Sequence, residues 1–487
     1  MRPTLAVRAA LVAIGVALPL CHRKGGTGSS ASSGGSGGVT PIGVLAPSAG
    51  GAHPALPPQG GAAGNASNTN AGPPEWLTDP TLWRPVPAAD FGMPECQVFE
   101  TTQPLPLPAL TWQPCGSGCS EADAIPPGEG AAVPRMGVVD AGGQARLVLS
   151  AYHVVRTATE FFRLNLVQDL ESGLFLGGVL GRASNTLTWA PCSFAGGYAQ
   201  PEFLLLLGSA TKDAPPFQID AYFDINTGKY TWAIPALLIE KTPILSMNFS
   251  VDAPGGTSLA VGGGGVAIWP DPSSSAWQVL ETVSPSFQGA GYGDLGIWSD
   301  IQPDLSSRLR GWKGDGEGIR TLVDPIPGPT CDVSLSPTHV AGYARPGQGR
   351  VCENPTNPIQ FWVAPRLPDG SVGKPDVLLT IPGLPAGVGR AGVKTWGEYG
   401  AMLLGPTDAN GNPIPKEEYF LVIRLADKAL WRVRTRPGRG MHQDAWALTD
   451  KYIYFGETGA NFNDTQQIQH LVRLELAQLD VMAERLP

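Results

Sequence analysis

The chain has 487 residues, of which only 15% are charged, and its 63 Gly and 48 Pro make up close to a quarter of it. Lys and Arg number 33 against 42 Asp and Glu, a formal charge of −9. Such a chain has no surplus of cations with which to neutralise phosphates, which excludes nucleic acid as its main partner. A hydrophobic content of 42% is enough for a sizeable core.

In chain order, Arg2 and Arg8 precede the uncharged run AALVAIGVALPL at 9–20, and Cys21 follows. A basic start before a short apolar run reads as an export signal, residues 1–21, because a lasting membrane span needs about 20 apolar residues. Leu18, three residues before Cys21, and the cysteine itself resemble the cleavage site of bacterial lipoproteins, although Leu20 stands where a small residue is usual. The resemblance implies cleavage before Cys21, a lipid on its thiol and attachment to a membrane of the cell envelope. Simple secretion, with cleavage near Gly15 or Ala17, is the alternative. Within residues 22–74, positions 25–74 are almost entirely Gly, Ser, Ala, Pro, Asn and Thr. They bury too little apolar surface to offset their ordering entropy and read as a disordered linker.

Six further cysteines, Cys96, Cys115, Cys119, Cys192, Cys331 and Cys352, suit disulfides in an exported chain. Cys331 with Cys352 is the expected pair, and Cys96 is expected to join Cys115 or Cys119. A zinc site on Cys96, Cys115 and Cys119 competes poorly, because the next histidine is the distant His153. Residues 75–131 form an N-terminal segment, within which 98–112 is expected to supply a ring-closing strand.

Residues 132–487 repeat. The clearest unit is FLLLLGS at 203–209, QIDAYFDI at 218–225, a turn at Asn226-Thr227-Gly228, and KYTWAI at 229–234. Alternation puts Ile219, Ala221, Phe223 and Ile225 on one strand face, and Asn and Gly permit the backbone of a hairpin turn. YGAMLLG, EEYFLVIRL and ALWRVR repeat the plan at 399–434. Units open near residues 146, 203, 258, 294, 339, 399 and 451, roughly 51 residues apart. All-strand units of this length predict a β-propeller, most naturally seven-bladed. A pair of β-sandwich domains is the other architecture with such spacing. The echo of LTWQPC (110–115) in LTWAPC (187–192) supports duplication, while the Gly-His and Trp-Asp dipeptides of the WD40 family are missing. Residues 153–170 and 466–485 have helix-compatible composition but read as strands by analogy with the clear units.

Chemistry is sparse. Gly291-Tyr292-Gly293-Asp294-Leu295-Gly296 spells G-x-G-x-x-G, yet it leads into a strand, so it reads as a turn and not a dinucleotide site. The loop Asp408–Asn412 resembles the start of a calcium loop, with glycine at the wrong position. Ca²⁺ is the one cofactor entertained, and no metal site or catalytic set is assigned. Asp315 and Glu317 read as a hairpin tip. Residues leading into the units, Glu202, Asp252, Asp294, His339, Glu398, His442 and Asp444, are expected around a central funnel. Glu398, His442, Asp444, His339 and Asp294 are the candidates for ligand binding there, or else for hydrogen bonds between blades. The chain as a whole resembles an exported bacterial lipoprotein carrying a repeat-built β-propeller. The expectation is a non-catalytic binding or scaffold module at the envelope, for protein or glycan. A polysaccharide hydrolase or lyase using funnel carboxylates is the alternative, and a purely structural surface protein a third.

Overall fold

The computed structural model of the chain describes residues 73–86, 97–123, 131–184, 192–196, 201–208, 217–233, 247–253, 256–262, 265–269, 278–281, 286–347, 352, 357–381, 388–406, 414, 416–457 and 467–486. All lie in the unit Ala46–Pro487. The expected signal, Cys21, Cys96, the 408–412 loop and most of the linker fall outside the described residues.

The fold is all-β with a β-propeller arrangement. Among the described residues the strands form seven antiparallel sheets, and five of these are each built from four strands consecutive in the chain. These are the second (Cys192–Gly196, Phe203–Gly208, Phe217–Asp224, Lys229–Ala233), the third (Met247–Ala253, Gly256–Gly262, Gly265–Trp269, Gln278–Glu281) and the fourth (Ser286–Tyr292, Leu295–Ile301, Ser307–Trp312, Arg320–Ile326). The fifth (Thr330–Leu335, His339–Ala344, Ile359–Pro365, Asp376–Ile381) and the sixth (Val388–Trp396, Tyr399–Pro406, Tyr419–Arg424, Leu430–Arg434) follow the same plan, with Glu484–Leu486 added at the sixth sheet's outer edge.

The first sheet combines Ala131–Asp140, Ala145–Arg156, Glu160–Asp169 and Phe175–Ser184 with Gln97–Thr101 and Trp83–Pro85 on one edge and Gln467–Ile468 on the other. The seventh combines Met441–Leu448, Tyr452–Glu457 and His470–Glu475 with Cys119–Asp123 and Gln113–Gly116. An N-terminal strand therefore completes the last sheet, through pairing of Cys119–Asp123 with His470–Glu475. The expected closing stretch, 98–112, is displaced from this role, because Gln97–Thr101 lies on the first sheet beside Phe175–Ser184. There Leu77, Leu82, Trp83 and Leu105 cover Phe162, Leu164, Leu166 and Leu180.

The strands are apolar on both faces because each inner sheet lies between two others. In the sixth sheet Met402, Leu404, Leu421 and Ile423 join the fifth sheet's Tyr343, Phe361 and Val363. The alternate set, Leu403, Phe420, Val422, Trp431 and Val433, joins the seventh sheet's Trp446, Phe455 and Leu474. Period-two alternation thus sorts side chains between neighbours and not between core and water. Trp298, Trp362, Trp431 and Trp446 are fully buried in these layers.

Each unit read from the sequence is shifted by one strand. Leu295–Ile301, His339–Ala344, Tyr399–Pro406 and Tyr452–Glu457 open the predicted units, yet each is the second strand of its sheet. The true first strands, such as SFQGAGY, VGRAGVKTW and MHQDAWAL, carry glycine, charge and amide where apolar alternation is sought.

Cys331 bonds Cys352 as expected. Cys115 bonds Cys119, which removes both from Cys96 and ends the zinc reading. The side chain of Cys192 lies outside what is described. The G-x-G-x-x-G stretch is a hairpin in which Tyr292 pairs with Leu295 and Gly293 takes φ +58°. Glu160–Asp169 and His470–Glu475 are strands, whereas Leu476–Gln478 and Leu479–Met482 form short helical turns that cover the seventh sheet with Leu476 and Leu479. Among the described residues no helix is long and apolar enough to cross a membrane.

Candidate functional site where the first strands meet

The first strands of the fifth, sixth, seventh and first sheets are successive neighbours. Each brings one charged side chain inward: Asp332, Lys394, Asp444 and Arg135. The result is a belt of alternating charge across four sheets. Arg135 forms an ion pair with Asp444. Asp332 Oδ2 accepts the backbone N–H of Val393 at 3.1 Å. Two residues further along both strands, Ser334 Oγ accepts the N–H of Thr395 at 3.3 Å. Asp332 and Ser334 share a strand face, so one face of the fifth sheet's first strand supplies two acceptors to the sixth.

Gly392 leaves the space in which this happens. A Cβ there would lie 3.8 Å from Asp332 Oδ2 and 3.7 Å from the Trp446 ring. Lys394 Nζ lies over that ring, 5.8 Å from its centroid. Burial pushes the Asp332 carboxyl up to about 7, with Lys394 pulling the other way. Burial also lowers Lys394, against the attraction of Asp332 and Asp444. Both side chains keep some solvent-accessible surface.

Of the residues picked out from the sequence, His442 and Asp444 come together here. The Asp444 N–H donates to His442 Nδ1 at 3.2 Å, and His442 is 5% exposed. The other three lie away from the belt, Asp294 and Glu398 in the turns joining first to second strands and His339 at the start of a second strand. Glu398 is exposed in the turn between Val388–Trp396 and Tyr399–Pro406, where its carbonyl accepts the N–H of Leu425. His339 Nδ1 is 2.9 Å from Thr338 Oγ1, and burial lowers its pKa. Asp294 is 3.8 Å from Arg366. Glu202, also in such a turn, is 2% exposed, and burial pushes it up to about 8. The side chain of Asp252 lies outside what is described.

The turns of the first, fourth and sixth sheets meet one another. Tyr292 meets Trp396 edge-on at 5.2 Å and shares a core cluster with Val138 of the first sheet. A Cβ on Gly293 would lie 3.4 Å from Asp140 Oδ2, so turns of the first and fourth sheets meet across the centre. Burial raises the Tyr292 hydroxyl, reinforced by Asp140 and Asp450 and opposed by Arg366.

Arg135, Asp332 and Lys394 escape sequence reasoning because they sit one strand upstream of the stretches that look like unit openings. A signal was present: Lys394-Thr395-Trp396 and Asp444-Ala445-Trp446 share a charge–small–Trp pattern in successive sheets. Among the described residues no group of three or more His, Cys, Asp or Glu side chains is arranged to hold a metal ion.

No protein-family model matches the chain, and no curated protein matches it. Among solved structures it is similar to an ancestral GH74 enzyme, with a TM-score of 0.37 and 8% identity over 76% of this chain. The chain spans 56% of that enzyme's length. An uncharacterized protein from Listeria monocytogenes has a TM-score of 0.33 and 9% identity, over 73% of this chain and 96% of that one. A Trypanosoma rangeli sialidase has a TM-score of 0.32 and 9% identity, over 77% and 58%. Likeness at this level says nothing of chemistry.

Proposed function

We propose that the chain is an exported, lipid-anchored protein of the cell envelope whose seven sheets are the blades of one propeller. In this reading the propeller is a non-catalytic binding or scaffold module for protein or glycan. The anchor rests on the composition of residues 1–21, and the blade number on the seven sheets and the succession of their first strands.

One observation carries the absence of catalysis from the proposal. The carboxylates that a hydrolase or lyase would use are dispersed or committed. Asp444 is held by Arg135, Asp332 by the Val393 N–H, and Asp294 by Arg366. Glu398 stands in an exposed turn. Two-carboxylate glycoside chemistry needs an acid and a base facing one sugar across about 5–9 Å of open site, and bonds between sheets are a different use of such groups.

The test compares residues 74–487 with the Asp444→Asn and Glu398→Gln variants on envelope extracts and polysaccharides. The expected result is no soluble oligosaccharide from any of the three, and equal recovery of envelope partners by all three. Release of oligosaccharide by the unaltered protein, abolished in either variant, would establish the hydrolase or lyase reading instead.

A further inference from the structure

We propose that the Cys115–Cys119 disulfide is a thiol–disulfide exchange site that takes a dithiol reductant, and that its opening loosens the strand completing the seventh sheet, whatever the propeller binds.

The bond holds a register. Gln113–Gly116 and Cys119–Asp123 are joined by the two-residue turn Ser117-Gly118. Pro114 pairs with Ser120 and Gly116 with Cys119, so Cys115 is the extra residue of a bulge. A bulged residue has no cross-strand partner, and hydrogen bonds alone fix its position weakly. Here the bond from Cys115 to Cys119 fixes it covalently. That register passes directly into ring closure, because Cys119 itself pairs with Leu474 of the seventh sheet.

The same turn seats the C-terminal segment. Its Gly118 carbonyl accepts the N–H of Glu475 at 2.8 Å. Gly118 takes φ +66°, and a Cβ there would lie 2.6 Å from Gln478 Cβ and 2.7 Å from Met482 Sδ. The short helical turns that follow the seventh sheet therefore rest on the hairpin turn that the disulfide ties.

Exposure and loop length set this bond apart from Cys331–Cys352. Cys115 is half-buried on an edge strand, between exposed Pro114 and exposed Gly116. Cys331 is 3% exposed, and Cys352 packs against the same core cluster. The two bonds span sequence separations of 4 and 21 residues. Closing the shorter loop removes less entropy from the unfolded chain and so stabilises less. Exposed disulfides are the labile ones, because exchange needs access to sulfur.

In the first step a thiolate of the dithiol attacks Cys115 Sγ and forms a mixed disulfide. The Sγ–Sγ bond breaks, its electron pair leaves on Cys119 Sγ, and that thiolate takes up a proton. The second thiolate of the reductant then attacks the reductant's own sulfur in the mixed disulfide, and Cys115 leaves as a thiolate and is protonated. The protein disulfide gains two electrons and two protons, and the dithiol is oxidised to a disulfide.

The test incubates the folded full chain with dithiothreitol, without denaturant, traps free thiols with iodoacetamide over time and maps cysteine peptides by mass spectrometry. Cys115 and Cys119 should be alkylated at least about tenfold faster than Cys331 and Cys352, the ratio that the two loop lengths imply. In protein opened at this bond alone, amide exchange should rise at least about fivefold in Cys119–Asp123 and His470–Glu475, and stay unchanged in Leu295–Ile301 of the fourth sheet. The double variant Cys115→Ser, Cys119→Ser should exchange as the opened protein does, with or without dithiothreitol. The proposal is overturned if the two bonds open at equal rates, if Cys331–Cys352 opens first, or if opening Cys115–Cys119 leaves exchange in His470–Glu475 where it was.

Discussion

Two desolvated titratable side chains pull the pH dependence of stability in opposite directions. His153 is 6% exposed, and burial lowers it to about 4 from an ordinary 6.5. The unfolded chain then binds more protons between those values, so stability drains away as pH falls from 6.5 toward 4. Asp332 does the reverse. Its folded pKa of about 7 lies above an ordinary 3.8, so the folded chain binds more protons in between, and stability grows as pH falls through that window. The two terms offset one another in the unaltered protein. Asp332→Asn removes the favourable one. Its melting temperature should therefore drop more steeply than that of the parent between pH 7 and pH 5. Parallel curves from thermal denaturation would mean that Asp332 ionises as an ordinary surface carboxylate does.

At the scale of the element, one device recurs in the turn between third and fourth strands. Asp169, Asp224, Asp315, Asp369 and Asp427 occupy it in the first, second, fourth, fifth and sixth sheets. Each accepts the backbone N–H two residues on, from Glu171, Asn226, Glu317, Ser371 and Ala429, at 2.9–3.2 Å. A carboxylate that binds its own backbone closes such a turn without help from tertiary structure. That is why the turn at Asn226-Thr227-Gly228 was legible in sequence. Asp224 also accepts the Thr227 hydroxyl at 2.7 Å. Asp224→Ala should cost about 1 kcal/mol, the usual net worth of such bonds, measured by urea denaturation. The first strands carried no such turn and only a faint charge–small–Trp pattern, because their side chains answer to other sheets.

At the scale of the whole molecule, closure depends on a strand drawn from more than three hundred residues away along the chain. Arg436 fastens it. Its Nε donates to Glu457 Oε2 at 2.9 Å, and its guanidinium also pairs with Glu121 of the closing strand. The Glu457 side chain is 1% exposed, with Arg439 a further 3.6 Å partner. Trp112, Arg473 and Tyr452 add a second clasp, with the Arg473 guanidinium 4.4 and 4.9 Å from the two rings. Arg436→Met strips Glu457 of its main counter-charge. It should cost about 3 kcal/mol, as breaking a buried pair does, and should speed amide exchange in His470–Glu475 more than in the fourth sheet. Uniform exchange across both sheets would show that the clasp does not act locally.

The sequence by itself determined what depends on neighbours along the chain. The apolar alternation that makes second and third strands, the Asp and Gly turns, the Cys331–Cys352 pair and the all-β repeat were all readable, because each is decided within a few tens of residues. Only the tertiary structure decided which strand is innermost, which N-terminal strand completes the last sheet and which charges meet along the first strands. Asp332, Lys394, Asp444 and Arg135 belong to four sheets spread over three hundred residues, and nothing local orders their charges. Their alternation is an electrostatic condition on the closed assembly, and it exists only when the first strands are brought side by side.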